Sequence, residues 1–306
     1  MAKKWDVLAL GNVAVDDFLT VPHYPAADTK VRVLQSSRQC GGLMATALVA
    51  ASRLGACCAY AGVLGENEFS KFAENTLVRE NIDVSHVVRR ADASPSHSVI
   101  IVDASTGTRN IFYQALGMCG ADECLPSEEV IRGARVLLVD PWGEVGTLRA
   151  ARIAREAGIP IVADIERADF RTFEELFALT DHLILSEDFA LRHTGACTPE
   201  AAATALWNSE RAVVIVTCGA RGTVAISREY SDLRPRRFPA FEIKAVDTTG
   251  CGDVFHGAYA ACLAREMRLD ERIRFASAAS ALNAMQTGGQ SGIPTRAVVE
   301  EFLETS

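Results

Sequence analysis

Apolar residues come in short blocks along this chain, and the spacing within each block sets the expected elements. Trp5 to Leu10 is a compact apolar run that stops at Gly11, as a first strand of a buried sheet would. Leu43 to Leu54 is small and apolar over a helical length, with Gly55 placed to end it. Cys57 to Val63 is strand-like again. Asn67 then stands where a helix N-cap belongs, and Phe69, Phe72, Ala73, Thr76 and Leu77 fall on one helical face behind it. From residue 134 the rhythm is regular. Val136 to Val139 is apolar, Leu148 to Ala157 is helical and ends at Gly158, and Ile159 to Ala163 is apolar again. Phe173 to Leu179 (helix), Leu183 to Leu185 (strand), Pro199 to Trp207 (helix) and Val213 to Val216 (strand) follow. This alternation predicts an α/β fold, a parallel sheet covered by helices on both faces.

Two stretches in the first third break that rhythm. Residues 13–40 alternate in short pieces around Pro22 and Pro25. Residues 96–115 hold two strand-like runs, Ser98 to Asp103 and Arg109 to Tyr113, about a Ser105-Thr106-Gly107 turn. Together they predict a small β-lid over one end of the sheet. No repeat, low-complexity segment or linker interrupts the chain, so residues 1–306 are expected to form one domain.

Composition narrows the class. Apolar residues are 49% and charged residues 23%, ordinary for an enzyme with a large core. A net charge of −8 argues against nucleic acid as a partner. No uninterrupted apolar run approaches the ~18 residues that span a bilayer, and no apolar segment follows Lys3-Lys4, so a cytoplasmic protein is expected. Nine cysteines without a C-x-x-C pair suggest reduced, mostly buried thiols. His86, His97, His182 and His193 lack metal-ligand spacing. A P-loop is excluded because no Gly-Lys pair exists, and no G-x-G-x-x-G follows the first strand.

The chemistry concentrates in Asp247-Thr248-Thr249-Gly250-Cys251-Gly252-Asp253, which runs into the apolar Val254-Phe255-His256-Gly257-Ala258. A glycine turn opening a helix points backbone N–H groups outward, and the helix start adds about half a positive charge. Asp253 stands at the mouth of that anion cradle, placed to take a proton from an attacking hydroxyl. A cradle beside a base is what phosphoryl transfer to an alcohol requires. His256, one turn after Asp253, reads as a packing residue.

This segment resembles the D-T-x-G-A-G-D signature of the ribokinase-like (PfkB) carbohydrate kinases, with Cys251 at a position usually held by Ala or Gly. The resemblance runs from Gly11 to Pro294. It implies an αβα sandwich with a β-lid, ATP and Mg2+ as cofactors, and a homodimer formed through the lid. It makes Asp253 the general base and the amides of Gly250, Cys251 and Gly252 the charge-stabilising donors. Asp16 matches the family's sugar-binding aspartate, and a carboxylate there can accept two hydroxyl donors at once. Gly41-Gly42 matches the sugar-side glycine pair, followed by Thr46 where the family carries asparagine. On the nucleotide side, Thr217-Cys218-Gly219-Ala220-Arg221-Gly222 resembles the T-x-G-x-x-G turn. Ser186 and Phe189 stand in place of the magnesium-organising N-x-x-E, leaving Glu187 or Asp188 as substitutes. The loop 287–294 is similar to one that borders the purine and a monovalent cation such as K+, for which Asp247 and Thr249 would be contacts.

Within the family the pattern looks closest to that of the sulfofructose kinases, although Asp140-Pro141-Trp142 has no arginine before its tryptophan. Lys30 and Arg32 alternate with Val31 and Val33, so on a strand both cations would share a face, and Lys30 becomes a candidate reader of an anionic substrate group. The expected activity is ATP-dependent phosphorylation of a primary hydroxyl on a ketose, furanose or related sugar. A nucleoside kinase of the same fold is the alternative, and so is a sugar sensor that has lost N-x-x-E. Retention of Asp253 speaks against the sensor.

Overall fold

The computed structural model describes residues 3–306. An eight-stranded sheet forms its centre, in the order β14 (Arg236–Phe238), β13 (Thr223–Ser227), β12 (Val213–Thr217), β11 (His182–Ser186), β10 (Ile161–Asp164), β9 (Ala134–Val139), β1 (Trp5–Leu10), β4 (Cys58–Tyr60). From β4 to β12 all neighbours run parallel; β13 and β14 add antiparallel edge strands.

The two-residue period of each strand divides its side chains between two cores. Val7, Ala9, Val136 and Leu138 face one core with α1 (Leu43–Arg53), α2 (Glu68–Arg79), α8 (Cys251–Ala264) and α9 (Leu269–Ala284), with α10 (Arg296–Thr305) at its rim. Leu8, Leu10, Leu137 and Val139 face the other, with α3 (Glu128–Arg132), α4 (Glu144–Glu156), α5 (Phe173–Leu179), α6 (Glu187–Thr194) and α7 (Pro199–Leu206). This is the αβα layering that the resemblance implies. Small residues bring α1 and α8 together: a Cβ on Gly257 would lie 1.9 Å from the Ala47 carbonyl oxygen.

A second sheet of four strands, ordered β3 (Gln35–Gly41), β2 (Ala14–Val21), β7 (Ser96–Asp103), β8 (Arg109–Gln114), lies apart from the first. Gly107 at φ 72° closes the β7–β8 hairpin, and Asp103 caps its turn by accepting from Ser105 and Thr106.

Two readings from the sequence need correction. The run from Cys57 to Val63 is not one strand. β4 ends at Tyr60, and Val63–Leu64 (β5) pairs instead with Val88–Arg89 (β6). Gly62, in the break between β4 and β5, leaves room for the Tyr60 ring: a Cβ there would lie 2.2 Å from the Tyr60 hydroxyl, which donates to the Gly11 carbonyl at 2.9 Å. Residues 30–33 are not a strand either. β2 and β3 pair only as far as Thr20 and Gln35, so Lys30 to Val33 belong to a connection beyond the ladder, with Lys30 and Arg32 exposed. Among the described residues no helix is long and apolar enough to cross a membrane.

Candidate active site

The C-terminal ends of β1, β9 and β10, the first turn of α8 and strand β2 bring acidic side chains together. Asp140 follows β9, Asp164 ends β10 with Glu166 just after it, Asp253 lies in the first turn of α8, and Asp16 is on β2. Their mutual influence sets their charge. Asp253 is held well above the ordinary carboxylate range, first by burial and then by the negative charges of Asp164, Glu166, Asp140 and Asp16. Burial also raises Asp164 and Glu166, with His256 pulling both back down. Such a site favours whatever brings positive charge or takes up a proton.

Asp140 is fully buried and knits the strand ends, accepting from Asn12 N at 2.7 Å and Trp142 N at 2.8 Å. Gly11 is required beside it, because its φ is +153° and a Cβ would stand 2.5 Å from the Asp140 carboxyl. His256 is buried under the first turn of α8. Its Nδ1 lies 2.9 Å from Gly252 O and 3.3 Å from Asp164 Oδ2, and its Nε2 lies 3.2 Å from Ile184 O. It packs and positions, away from any open space.

The anion turn is built by glycine. Gly250 caps α8 in the left-handed region at φ 72°, and a Cβ there would meet Gly289 O at 2.7 Å. Gly252 has nothing within 4 Å of where its Cβ would be, so the turn is open on that side. Cys251 points the other way, its thiol near Ser280 O at 3.6 Å, and Ser280 Oγ donates to the Cys251 carbonyl at 2.7 Å. The thiol therefore faces α9, and the outward-facing backbone is left unchanged.

Asp247 braces this turn. Its Oδ1 accepts from Thr249 N (2.9 Å), Thr249 Oγ1 (2.7 Å) and Arg109 Nη1 (3.1 Å), and its Oδ2 accepts from Gly288 N (2.9 Å). Burial pushes this carboxyl up, but Gly288, Thr249 and the Arg109 cation together hold it below the usual range. Asn283 Nδ2 spans Thr249 O at 3.3 Å and Gly289 O at 3.4 Å, tying the turn to the C-terminal loop.

On the second sheet, Asp16 is half-buried and raised by burial, a shift that Ser98's hydroxyl opposes. A Cβ on Gly41 would lie 2.2 Å from Asp16 Oδ2, so glycine there makes room for the carboxylate. Gly42 caps α1 at φ 88°. Thr46 is buried, and its hydroxyl accepts from Gln290 Nε2 of the C-terminal loop at 3.2 Å. Lys30 is not brought to this group.

The residues expected to border a nucleotide gather at the ends of β11 and β12. Thr217 ends β12, and Gly219–Arg221 form a single tight turn closed by Gly222 at φ 85°, where a Cβ would strike Phe238 O at 2.0 Å. Ser186 caps α6 by accepting from Phe189 N. Phe189 is buried in the core, Glu187 pairs with Arg221, and Asp188 is exposed and pairs with Arg192. The place where N-x-x-E would present a carboxylate is therefore apolar, and among the described residues no three His, Cys, Asp or Glu side chains are placed to hold one metal ion. These side chains do not fit a direct metal centre.

Sequence reasoning gave no role to Asn12, Ser98, Asp164 or Glu166, named Asp140 only as the residue before Pro141-Trp142, and met Gln290 only as part of the loop 287–294. Each is a single polar residue at the end of an apolar block or inside a loop, with no local motif to mark it.

Comparison with known proteins decides the family. The pfkB family carbohydrate kinase pattern matches residues 6–296, and the ribokinase of Haemophilus influenzae is 30% identical over 96% of this chain and 97% of its own length. The chain belongs to the pfkB carbohydrate kinases. Membership makes it a phosphotransferase by class. Fructokinase-1 of Zea mays is 28% identical, covering 97% of each chain. The ribokinase of Arabidopsis thaliana, solved with ribose and ATP, superposes with a TM-score of 0.85 over all of both chains at 22% identity, which supports the fold.

Proposed function

We propose that this kinase transfers the γ-phosphoryl group of ATP to a primary hydroxyl of a ketose or furanose sugar. The observation that carries the reading is Asp253 beside the open Gly250–Gly252 turn, with Asp16 facing the same carboxylate group from the second sheet. A sugar held by Asp16 and the Gly41-Gly42 turn would present its hydroxyl to Asp253, which takes the proton as the oxygen attacks phosphorus. The N–H groups of Gly250, Cys251 and Gly252 and the start of α8 would hold the charge on the transferred group. Thr217, Gly219, Gly222 and Ser186 would border the nucleotide.

Magnesium would neutralise the nucleotide phosphates on which it arrives. Glu187 could reach it only by leaving Arg221, and no step here depends on a protein-held ion. The small sheet would act as a lid that excludes water from the site. Support for the sugar comes from the ribokinase and fructokinase relatives, and support for ATP from the ligands of the Arabidopsis structure. A screen of ATP consumption over sugars, sugar phosphates and nucleosides tests the reading. Consumption with a ketose or pentose supports it, and consumption with nucleosides alone contradicts it.

A homodimer through the lid is part of this proposal. β8 is exposed along its whole length and carries Ile111, Phe112 and Tyr113 at 52%, 55% and 73% exposure, more apolar surface than a free edge strand usually shows. Mass measurement in solution should give twice the 32.9 kDa chain mass; a monomer at micromolar concentration would remove this part of the proposal.

Lys30 would read an anionic end of the substrate only if the segment between β2 and β3 folds inward over the sugar. Lys30→Met is then expected to raise KM for a phosphorylated or sulfonated sugar on the order of tenfold and to leave a neutral sugar unaffected. A wild-type preference for neutral sugars ends this assignment.

A further inference from the structure

Arg109 opens strand β8 of the small sheet, yet its guanidinium lies on the phosphate side of the site, 3.1 Å from Asp247 Oδ1. The two residues are 138 positions apart, and Asp247 is only 11% exposed. A second strand of the same sheet touches the same place: Gln39 on β3 packs so closely on Gly288 that a Cβ there would lie 2.4 Å from Gln39 Oε1. Gly288 N in turn donates to Asp247 Oδ2. One strand of the small sheet, the turn before α8 and the C-terminal loop therefore meet at one carboxylate, and a second strand packs on the loop beside it.

A carboxylate offers about four acceptor sites. Oδ1 of Asp247 already receives three donors, from Thr249 N, Thr249 Oγ1 and Arg109, the last a permanent cation, while Oδ2 receives Gly288 N alone. A monovalent cation arriving at Asp247 and Thr249 would meet a like charge already in contact with the same carboxylate. The site does not fit a free ion while Arg109 is in place.

We propose that Arg109 is a positioning residue that serves as the built-in cation of Asp247, so that closure of the small sheet and the shape of the anion turn become one event and the kinase needs no monovalent ion. The proposal rests on the phosphotransfer reading above. When β8 swings away, Asp247 loses its cation and the turn loses a brace; when the lid closes on sugar, the cradle is completed. Coupling of this kind would limit transfer of the phosphoryl group to water while the sugar site is empty.

The experiment compares wild type, Arg109→Met and Arg109→Lys in potassium, sodium and tetramethylammonium salts at equal ionic strength. Three quantities are followed: sugar-dependent turnover, sugar-independent ATP hydrolysis, and amide hydrogen exchange at Thr249 and Gly288. Expected are a wild type indifferent to the choice of cation and an Arg109→Met variant about tenfold lower in kcat/KM. That variant should also show a raised ratio of hydrolysis to transfer, faster exchange at both amides, and recovery by potassium, which can now reach the freed carboxylate. Arg109→Lys should fall between the two. Several-fold activation of wild type by potassium would overturn the proposal, pointing instead to the partnerless Oδ1 of Asn283 with the Thr249 and Gly289 carbonyls as an ion site. So would an Arg109→Met variant with wild-type kinetics and exchange. If wild type phosphorylates nothing in the screen, the functional reading fails by itself, and the exchange measurements still decide the role of Arg109.

Discussion

Replacing Asp253 by asparagine is expected to lower kcat on the order of 10²- to 10⁴-fold and, at the same time, to raise the thermal midpoint by a few degrees. The first effect follows from removing the proton acceptor while keeping its shape. The second follows from the sign of the pKa shift. Burial and four neighbouring carboxylates hold Asp253 well above its ordinary value. The native state therefore keeps this proton to higher pH than the unfolded chain does. As pH rises from the ordinary carboxylate pKa, about 4, through the raised native value, ionisation costs folding stability, and the cost is complete above that value. Asparagine removes it, so the stabilisation should be present at neutral pH and vanish below the ordinary carboxylate pKa. Calorimetry across pH checks this, and the acidic limb of the wild-type kcat/KM profile should lie above the ordinary carboxylate range. A variant that is both slow and less stable at neutral pH would mean that Asp253 is a structural brace.

Asp16→Ala is expected to weaken sugar binding by about 1.5–3 kcal/mol, the range for hydrogen bonds to a charged group, or roughly 10- to 100-fold in Kd. ATP binding should change little. Asp17, next in the strand and therefore on its opposite face, supplies the control. Its carboxylate is taken by Arg38 at 2.7 and 2.8 Å and by His97 at 2.9 Å, and the Phe69 ring stacks on His97. Asp17→Ala should loosen the attachment of the small sheet to α2 and lower the thermal midpoint without a comparable loss of sugar affinity. Isothermal titration of both variants separates the cases. Equal losses for sugar and ATP in Asp16→Ala would indicate general disruption instead of a lost contact.

Much of this architecture is legible in the chain because its signals are local. Blocks such as Val136–Val139 and Val213–Val216 read as buried strands from their shortness and branched side chains, glycines 55 and 158 end the helices they follow, and the turn proposed to carry the chemistry lies within seven consecutive residues, Asp247 to Asp253. What was not legible depends on contacts between distant segments. Asp140, Asp164 and Glu166 are isolated acids until the parallel sheet lines up the ends of β9 and β10 beside α8. Gln290 gains meaning only from Thr46, 244 residues away. The alternation at Lys30 to Val33 imitates a strand, but a strand needs a ladder partner, and the pairing of β2 with β3 stops short of it. The residues replacing N-x-x-E could be seen to differ in sequence. That Phe189 turns into the core and Glu187 to Arg221 follows only from the packing of α6.

If Asp253 and the turn before it move a phosphoryl group from ATP to a sugar hydroxyl, the product of the reaction must show it. The most direct test is phosphorus NMR of the product formed from ATP and the sugar selected by the screen, with wild type and Asp253→Asn side by side. Wild type should form one phosphomonoester on a primary hydroxyl together with an equal amount of ADP, and the variant almost none. Equal product from the variant, or ADP and free phosphate with no sugar ester, would contradict this role.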